Sequence, residues 1–333
     1  MSPTSRELAR LHWTRGVLAD PGLELEPASA DASFRSYWRT HCGDRTWIVM
    51  DAPPDREDIR PWLDIARRLA DAGLHAPHIR AADAEAGFVL MSDLGGRLYL
   101  PELNVDSADA LYAEALQALH TMQSRIESTD LPPYDDQRLV AEMELLPEWF
   151  LRRHLGFTPD CDEWDVIEQA FRALSDNALR QEQAFVHRDY HSRNLLVCAQ
   201  NSPGILDFQD AVRGPITYDL ASLLRDCYIA WPDEQVYRWV ESYRLRLLES
   251  GLTRADADTF RRGFDLMGLQ RHFKVLGIFC RLWYRDGKAG YLNDLPLVWR
   301  YARDVGSRYP ETAPVIALIE RALGDANISL PRP

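Results

Sequence analysis

The chain has 333 residues, 46% of them apolar, and sets 38 Lys and Arg against 51 Asp and Glu, for a formal net charge of -13 and a pI near 5.2. That length and apolar content allow one large domain or two lobes with substantial cores. The acidic balance excludes a general nucleic-acid or anionic-membrane surface, because both partners need a basic field, so any anionic ligand must meet local positive charge.

From the N-terminus, MSPTSRELARLHWTRG lacks the apolar core of a secretion signal, and no later stretch is long and uncharged enough to span a bilayer. Cys42, Cys161, Cys198, Cys227 and Cys280 are scattered without a CxxC pair and read as reduced thiols. Both features predict a cytoplasmic protein. Up to about Gly96 the chain offers strand-like pieces: LELEP at 23–27, SFRSYWRTH at 33–41, TWIVMDA at 46–52 and GFVLMSD at 87–93. The turn residues at 42–45 join the second and third as an antiparallel hairpin. Between the third and fourth, WLDIARRLADAG repeats Leu63, Ala66, Leu69 and Ala70 at helical spacing, and Gly73 stops it.

From Asp106 onward helical patterns dominate, in SADALYAEALQALHTM, RLVAEMELLPEWFLRRHLG and WDVIEQAFRALSDNAL. The exception is AFVHRDYHSRNLLVCAQNSPGILDFQD, two apolar strand-like segments joined through Asn201, Ser202, Pro203 and Gly204. Helices resume after Tyr218 and run through 260–282. The expected architecture is therefore α+β and bilobal: a small mixed lobe at 1–95 with an antiparallel sheet, a hinge near Ser92 to Gly96, and a larger, mostly helical lobe at 96–333.

Within the exceptional stretch, Asp189 and Asn194 form D-x-x-x-x-N, and Asp207 follows 18 residues after Asp189. These residue types suit phosphoryl transfer. One carboxylate orients an attacking hydroxyl and accepts its proton, while a second carboxylate and an amide oxygen hold Mg²⁺ on the phosphates of ATP.

HRDYHSRN, then ILDFQD, then YDLASLLRD resembles the catalytic loop, metal loop and following helix of the aminoglycoside phosphotransferase and choline kinase-like family, which shares the protein-kinase fold. The resemblance implies Asp189 as catalytic base, Asn194 and Asp207 as Mg²⁺ ligands, Asp219 as a structural acid behind the loop, and MSDLGG as a hinge whose Ser92 and Leu94 backbones pair with adenine. The 12 residues from Asp207 to Asp219 are too few for a peptide-docking platform, which favours a small-molecule acceptor. Kinases end their third strand in a phosphate-gripping lysine; here Met50 stands at that position. Arg35 and Arg39 are the replacement cations by location, the loop from Ser29 to Ser33 covers the phosphates, and Arg193 with His191 either touches the γ-phosphate or braces the loop.

VMDAPPD, EMELLPEWFLRRHLG, FQDAVRGPITYDLASLLRD and QRHFKVLGIFCRLWYRDGK are similar to stretches of the anomeric kinases that phosphorylate N-acetylmuramate and N-acetylglucosamine at C1 in bacterial cell-wall recycling. That resemblance implies an amino-sugar acceptor, with no nucleic-acid, membrane or obligate protein partner. Asp210 is then a hydroxyl acceptor, and the lactyl carboxylate of muramate has Arg213, His272, Lys274, Arg281 and Arg285 as candidate cations. Glu142 and Glu144, on an amphipathic helix, read as solvated, and Arg188 as the loop's partner for an acid. The alternatives are an aminoglycoside kinase, which needs a dense acidic pocket, a choline-type kinase, which needs an aromatic cage, and a degenerate nucleotide-binding module, motivated by Met50.

Overall fold

The computed structural model describes residues 5–30 and 34–331. They fall into two compact units, one comprising the chain up to Ala118 with Arg193–Asp210, the other Leu119–Ser192 with the chain from Ala211 onward.

The first unit opens with α1 (Ser5–Leu18), followed by β1 (Glu26–Ala30), β2 (Ser36–Cys42), β3 (Arg45–Asp51), α2 (Arg60–Asp71), β4 (Ile79–Asp83), β5 (Phe88–Ser92) and the short α3 (Tyr99–Glu102). Among the described residues these five strands form one antiparallel sheet in the order β1-β2-β3-β5-β4. The predicted hairpin is present, with Cys42 opposite Arg45 and Met50 paired across to Tyr37 and Val89. The end of β3 is buried through Val49, Met50 and Asp51. Burying Asp51 requires paired cations, and α1 supplies them: Arg6 Nη2 lies 2.6 Å and Arg10 Nη1 2.8 Å from its carboxylate. Arg10 also lies 3.7 Å from the Trp38 ring centroid.

Helix α1 is absent from the sequence reading for that reason. The side chains it buries are Arg10 and Thr14, so it has no apolar stripe to betray it. In α2 the buried face is Trp62, Ile65, Ala66 and Leu69, which keeps Ala66 and Leu69 of the expected series, while Leu63 is half-buried and Ala70 exposed. Gly73 ends it at φ +81°, as its position implied. Strand β4 was also unforeseen, since IRAAD is short and only half-buried. Gly87 is required where it stands: at φ +73°, a Cβ would meet the Ala52 carbonyl oxygen at 1.9 Å.

Helix α4 (Ala108–Arg125) leads into the second unit, followed by α5 (Asp136–Met143), a π-helical segment Leu146–His154, and α6 (Cys161–Arg180). The single stretch expected over 138–156 is divided because Pro147, in the first turn of the π-helical segment, has no N–H to continue α5. Asp160 and Glu163 form a reciprocal capping box at the start of α6. Strand β6 (Gln183–Val186) pairs antiparallel with β9 (Val212–Pro215), and between them in sequence β7 (Leu195–Leu196) and β8 (Gly204–Ile205) make a hairpin of the first unit. Then come α7 (Tyr218–Leu224), α8 (Asp233–Glu249), α9 (Ala257–Tyr284), α10 (Leu295–Gly306) and α11 (Ala313–Leu323).

The second unit is organised on α9, 28 residues long and buried on most sides. Phe273, Leu276 and Phe279 join Phe150, Leu174 and Trp299 in its core. Gly277 lets the Leu145 backbone approach so closely that a Cβ there would lie 2.3 Å from the Leu145 carbonyl atoms. This contact sets the π-helical segment against α9.

Candidate active site

In the first unit, pairing of Leu195 with Ile205 and Leu196 with Gly204 brings the two predicted metal-ligating residues to the same end of a hairpin. Leu206 N–H donates to the Asn194 carbonyl at 3.0 Å, and Asn194 Nδ2 donates to Asp207 Oδ2 at 3.3 Å. Asp207 takes φ +59°, an uncommon conformation for a residue with a Cβ. The following Phe208 is buried against Trp62 with ring centroids 5.0 Å apart, which anchors the turn. Gln209 Nε2 donates to Asp207 Oδ1 at 2.9 Å.

A carboxylate beside an amide is the hard-oxygen set that Mg²⁺ accepts. No group of three or more His, Cys, Asp or Glu among the described residues could hold a metal by itself. The donor set therefore fits an ion whose shell is completed by phosphate oxygens and water. Met50 is fully buried and offers no charge. Of the two arginines proposed to compensate, Arg35 stands 3.7 Å from Asp207, whereas Arg39 is engaged by Asp93 at 2.6 Å. Arg39 is thus corrected to a structural ion pair, because a second cation has little to offer phosphate once a carboxylate holds it.

The remaining nucleotide candidates are distributed as follows. Ser33 lies outside the described residues. The Ser92 N–H is committed to the His78 carbonyl at 2.9 Å, which leaves the Ser92 carbonyl as the backbone group to pair with adenine. The Leu94 carbonyl faces the Cys198 thiol at 3.9 Å. Arg193 is exposed, and Asp210, also exposed, accepts from the Gln209 amide at 3.2 Å.

In the second unit the loop from His187 to Ser192 is braced by two buried acids. Asp219 accepts from the His187 N–H at 2.6 Å and from the Arg188 N–H at 3.0 Å, while Asp226 accepts from both N–H and Oγ of Ser192, at 2.9 and 2.5 Å. The first brace holds Arg188 at φ +78°, a strained value for a residue with a side chain. Burial drives the Asp219 pKa up to about 7 even though both N–H donors favour its ionised form.

The Arg188 guanidinium pairs with Glu142, whose carboxylate also binds the Lys274 ammonium at 2.9 Å and the Tyr134 hydroxyl. Arg271 donates to the Arg188 carbonyl at 3.0 Å. Asp189 projects from this cationic surround. Burial alone would raise its pKa, but Lys274, His191, Arg271 and Arg188 outweigh burial and hold it below the ordinary aspartate range. It is an anion at neutral pH, suited to orienting a hydroxyl and taking the proton late.

The structure separates the candidate sugar-binding cations. Arg213 is exposed on β9, its carbonyl accepting from the Tyr134 N–H at 2.8 Å. His272 is not a cation at all: it is 3% exposed and stacked on Tyr301, its Nε2 is 3.1 Å from the Arg225 carbonyl, and burial lowers its pKa to about 3. That placement corrects its predicted role to packing. Lys274 is spent on Glu142, and Arg285 is exposed and paired with Asp286 at 2.8 Å. Glu142, read as solvated, is instead the buried centre of the network. Its signal in the sequence lay elsewhere, in Arg271 and Lys274 one turn apart on a helix that is buried on most sides, two cations that need an acid.

A model described as the phosphotransferase enzyme family matches residues 24–257. The N-acetylmuramate/N-acetylglucosamine kinase of Pseudomonas aeruginosa is 44% identical over 313 residues, spanning 94% of this chain and 90% of that protein. The protein of the same description from Neisseria meningitidis is 38% identical, spanning 97% and 98%. Among solved structures, an ethanolamine kinase from Plasmodium vivax superposes with TM-score 0.64 at 12% identity, covering 91% of this chain and 90% of that one. An ADP-bound aminoglycoside phosphotransferase superposes with TM-score 0.59 at 16% identity, covering 88% and 98%. At such identities the structural likenesses establish the bilobal kinase-like fold.

Proposed function

Because the chain belongs to the phosphotransferase enzyme family, we propose that it transfers the γ-phosphoryl group of ATP to the C1 hydroxyl of N-acetylmuramate and N-acetylglucosamine, making sugar 1-phosphates for peptidoglycan recycling. The observation that carries this reading is 44% identity across 94% of the chain to a kinase named for those two sugars.

Asp189 holds the anomeric hydroxyl in line with the γ-phosphorus. As the new O–P bond forms and the bond to the β,γ-bridging oxygen breaks, the hydroxyl proton passes to the Asp189 carboxylate and ADP leaves. An anomeric hydroxyl is more acidic than an ordinary alcohol, so a base with depressed pKa suffices when it positions well. Asn194 and Asp207 would hold Mg²⁺, which supplies charge neutralisation at the phosphates. Arg35 is the cation we assign to the phosphates in place of the lysine that Met50 replaces, with Arg193 beside the acceptor loop and Asp210 as a sugar-hydroxyl acceptor. We assign residues 1–95 to nucleotide binding and the rest to catalysis and acceptor binding. No helix among the described residues is long and apolar enough to cross a membrane, in keeping with a cytoplasmic enzyme.

The test is ³¹P NMR of the product after incubation with MgATP and, separately, N-acetylmuramate, N-acetylglucosamine, kanamycin and choline. A phosphate coupled to the anomeric proton of both amino sugars is expected, and Asp189→Ala should lower turnover about 10²–10⁴-fold with nucleotide binding retained. Phosphate on kanamycin or choline alone would overturn the acceptor, and wild-type turnover by Asp189→Ala would remove Asp189 from its role.

A further inference from the structure

Arg271, Lys274, Ile278 and Arg281 of α9, with Arg285 as its C-cap, follow the three-four-three-four spacing that lines one face of a helix. The start of this face addresses the catalytic loop, since Arg271 binds the Arg188 carbonyl at 3.0 Å and Lys274 shares Glu142 with the Arg188 side chain. Its flanks are also defined. On one side the Leu145 backbone crosses at Gly277, and on the other Tyr228 stacks on Phe279 at 6.3 Å while its ring meets His191 of the loop at 5.6 Å. The face therefore starts at the loop that carries Asp189 and continues toward the C-terminal end of α9. Arg281 lies seven residues past Lys274, about 10 Å further along the helix axis.

The candidate cations differ in what already holds them. Lys274 is bound to Glu142, and Arg285 is bound in fork fashion to Asp286 at 2.8 and 3.0 Å. Arg213 projects from β9 on the side opposite Val212 and Gly214, which face the cluster containing Tyr134 and Tyr218. His272 is buried and neutral. Arg281 differs: its Nε is buried and has no hydrogen-bond partner among the described residues. Burial works against its charge, as does the neighbouring Arg285, and the acid that offsets it, Asp286, is held by Arg285. A guanidinium in that position is short of an anion.

Building on the amino-sugar reading above, we infer that Arg281 receives the carboxylate of the O3 lactyl arm of N-acetylmuramate and so sets the enzyme's preference between the acidic sugar and its neutral counterpart. Arg281 is a specificity residue and takes no part in the transfer step. The fork of a guanidinium matches a carboxylate, and the neutral sugar has nothing to place there.

The experiment measures kcat/KM of wild type, Arg281→Leu and Arg281→Gln on N-acetylmuramate, its methyl ester and N-acetylglucosamine. The ratio of muramate to glucosamine efficiency should fall about ten- to a hundredfold in both variants, chiefly through KM, as expected for loss of one charge-assisted contact. Wild type should discriminate against the ester by a similar factor, and the variants should treat acid and ester alike. If Arg281→Leu fails to fold, Arg281→Gln and the wild-type ester comparison still decide. Equal losses on both sugars, or an unchanged ratio, would overturn the role of Arg281 while leaving the sugar-kinase reading intact. A wild type that phosphorylates neither sugar would overturn both together.

Discussion

Asp219→Ala is the substitution that most directly tests how the catalytic loop is held. The Asp219 side chain is fully buried and accepts the N–H groups of His187 and Arg188 at 2.6 and 3.0 Å. Its removal orphans two buried donors, each costing about 1–3 kcal/mol. Relief of burying the acid offsets part of that loss, so the expected destabilisation at pH 7 is about 2–4 kcal/mol. The deficit should depend on pH in a definite direction. The folded pKa of about 7 lies above that of an unfolded aspartate, so between roughly pH 4 and 7 the folded state keeps a proton that the unfolded state releases. The contribution of Asp219 to stability is therefore fully present below about pH 4 and declines as pH rises to 7. Urea unfolding should show a variant deficit about 2–3 kcal/mol larger at pH 5 than at pH 8, from two pH units at about 1.4 kcal/mol each. Because Arg188 is strained at φ +78° and the brace opposes its relaxation, kcat should fall as well, with little change in the KM for ATP. A deficit under about 1 kcal/mol with kcat intact, or one that grows with pH, would refute the account.

Two further substitutions probe the charges around the site. Asp207→Ala should abolish the Mg²⁺-dependent part of ADP affinity measured by calorimetry, leaving the affinity seen with EDTA; unchanged Mg²⁺ dependence would reassign the metal. Lys274→Met removes the cation that acts most on Asp189 but leaves Glu142 paired with Arg188 and bonded to Tyr134. The Asp189 pKa should then rise, and because the base acts ionised, the acid limb of the kcat/KM profile should move up by about one pH unit. An unmoved limb would show that Lys274 does not set the charge state of Asp189.

The parts of this protein legible in its sequence are those that local chain geometry governs. The approach of Asn194 to Asp207 follows from the two-residue ladder between them, in a hairpin of few residues whose strand-like segments the sequence displays. The β2–β3 hairpin and helix α2 were visible through turn residues and periodicity. Helix α1 was not, because it is fastened by Arg6 and Arg10 to one buried carboxylate, and a polar anchor leaves no periodic trace. Glu142 was misjudged on the same physical ground. An acid on an amphipathic helix is ordinarily solvated, and only the arrival of Arg188 and Lys274 from elements distant in the chain makes its burial affordable.

The same logic explains why the candidate sugar-binding cations could not be ranked from composition. Arg213, His272, Lys274, Arg281 and Arg285 are not distinguished by composition; what separates them is where the fold places them, as with Arg213 on the far side of β9, and which charges it has already neutralised. His272 has lost its charge to burial, while Lys274 and Arg285 have given theirs to Glu142 and Asp286. In an acidic protein, a cation reserved for a ligand is one that the fold keeps from the surrounding carboxylates. Pairing within the structure, which the linear sequence does not display, thus separates Arg281 from Lys274 and Arg285 on the same helix face.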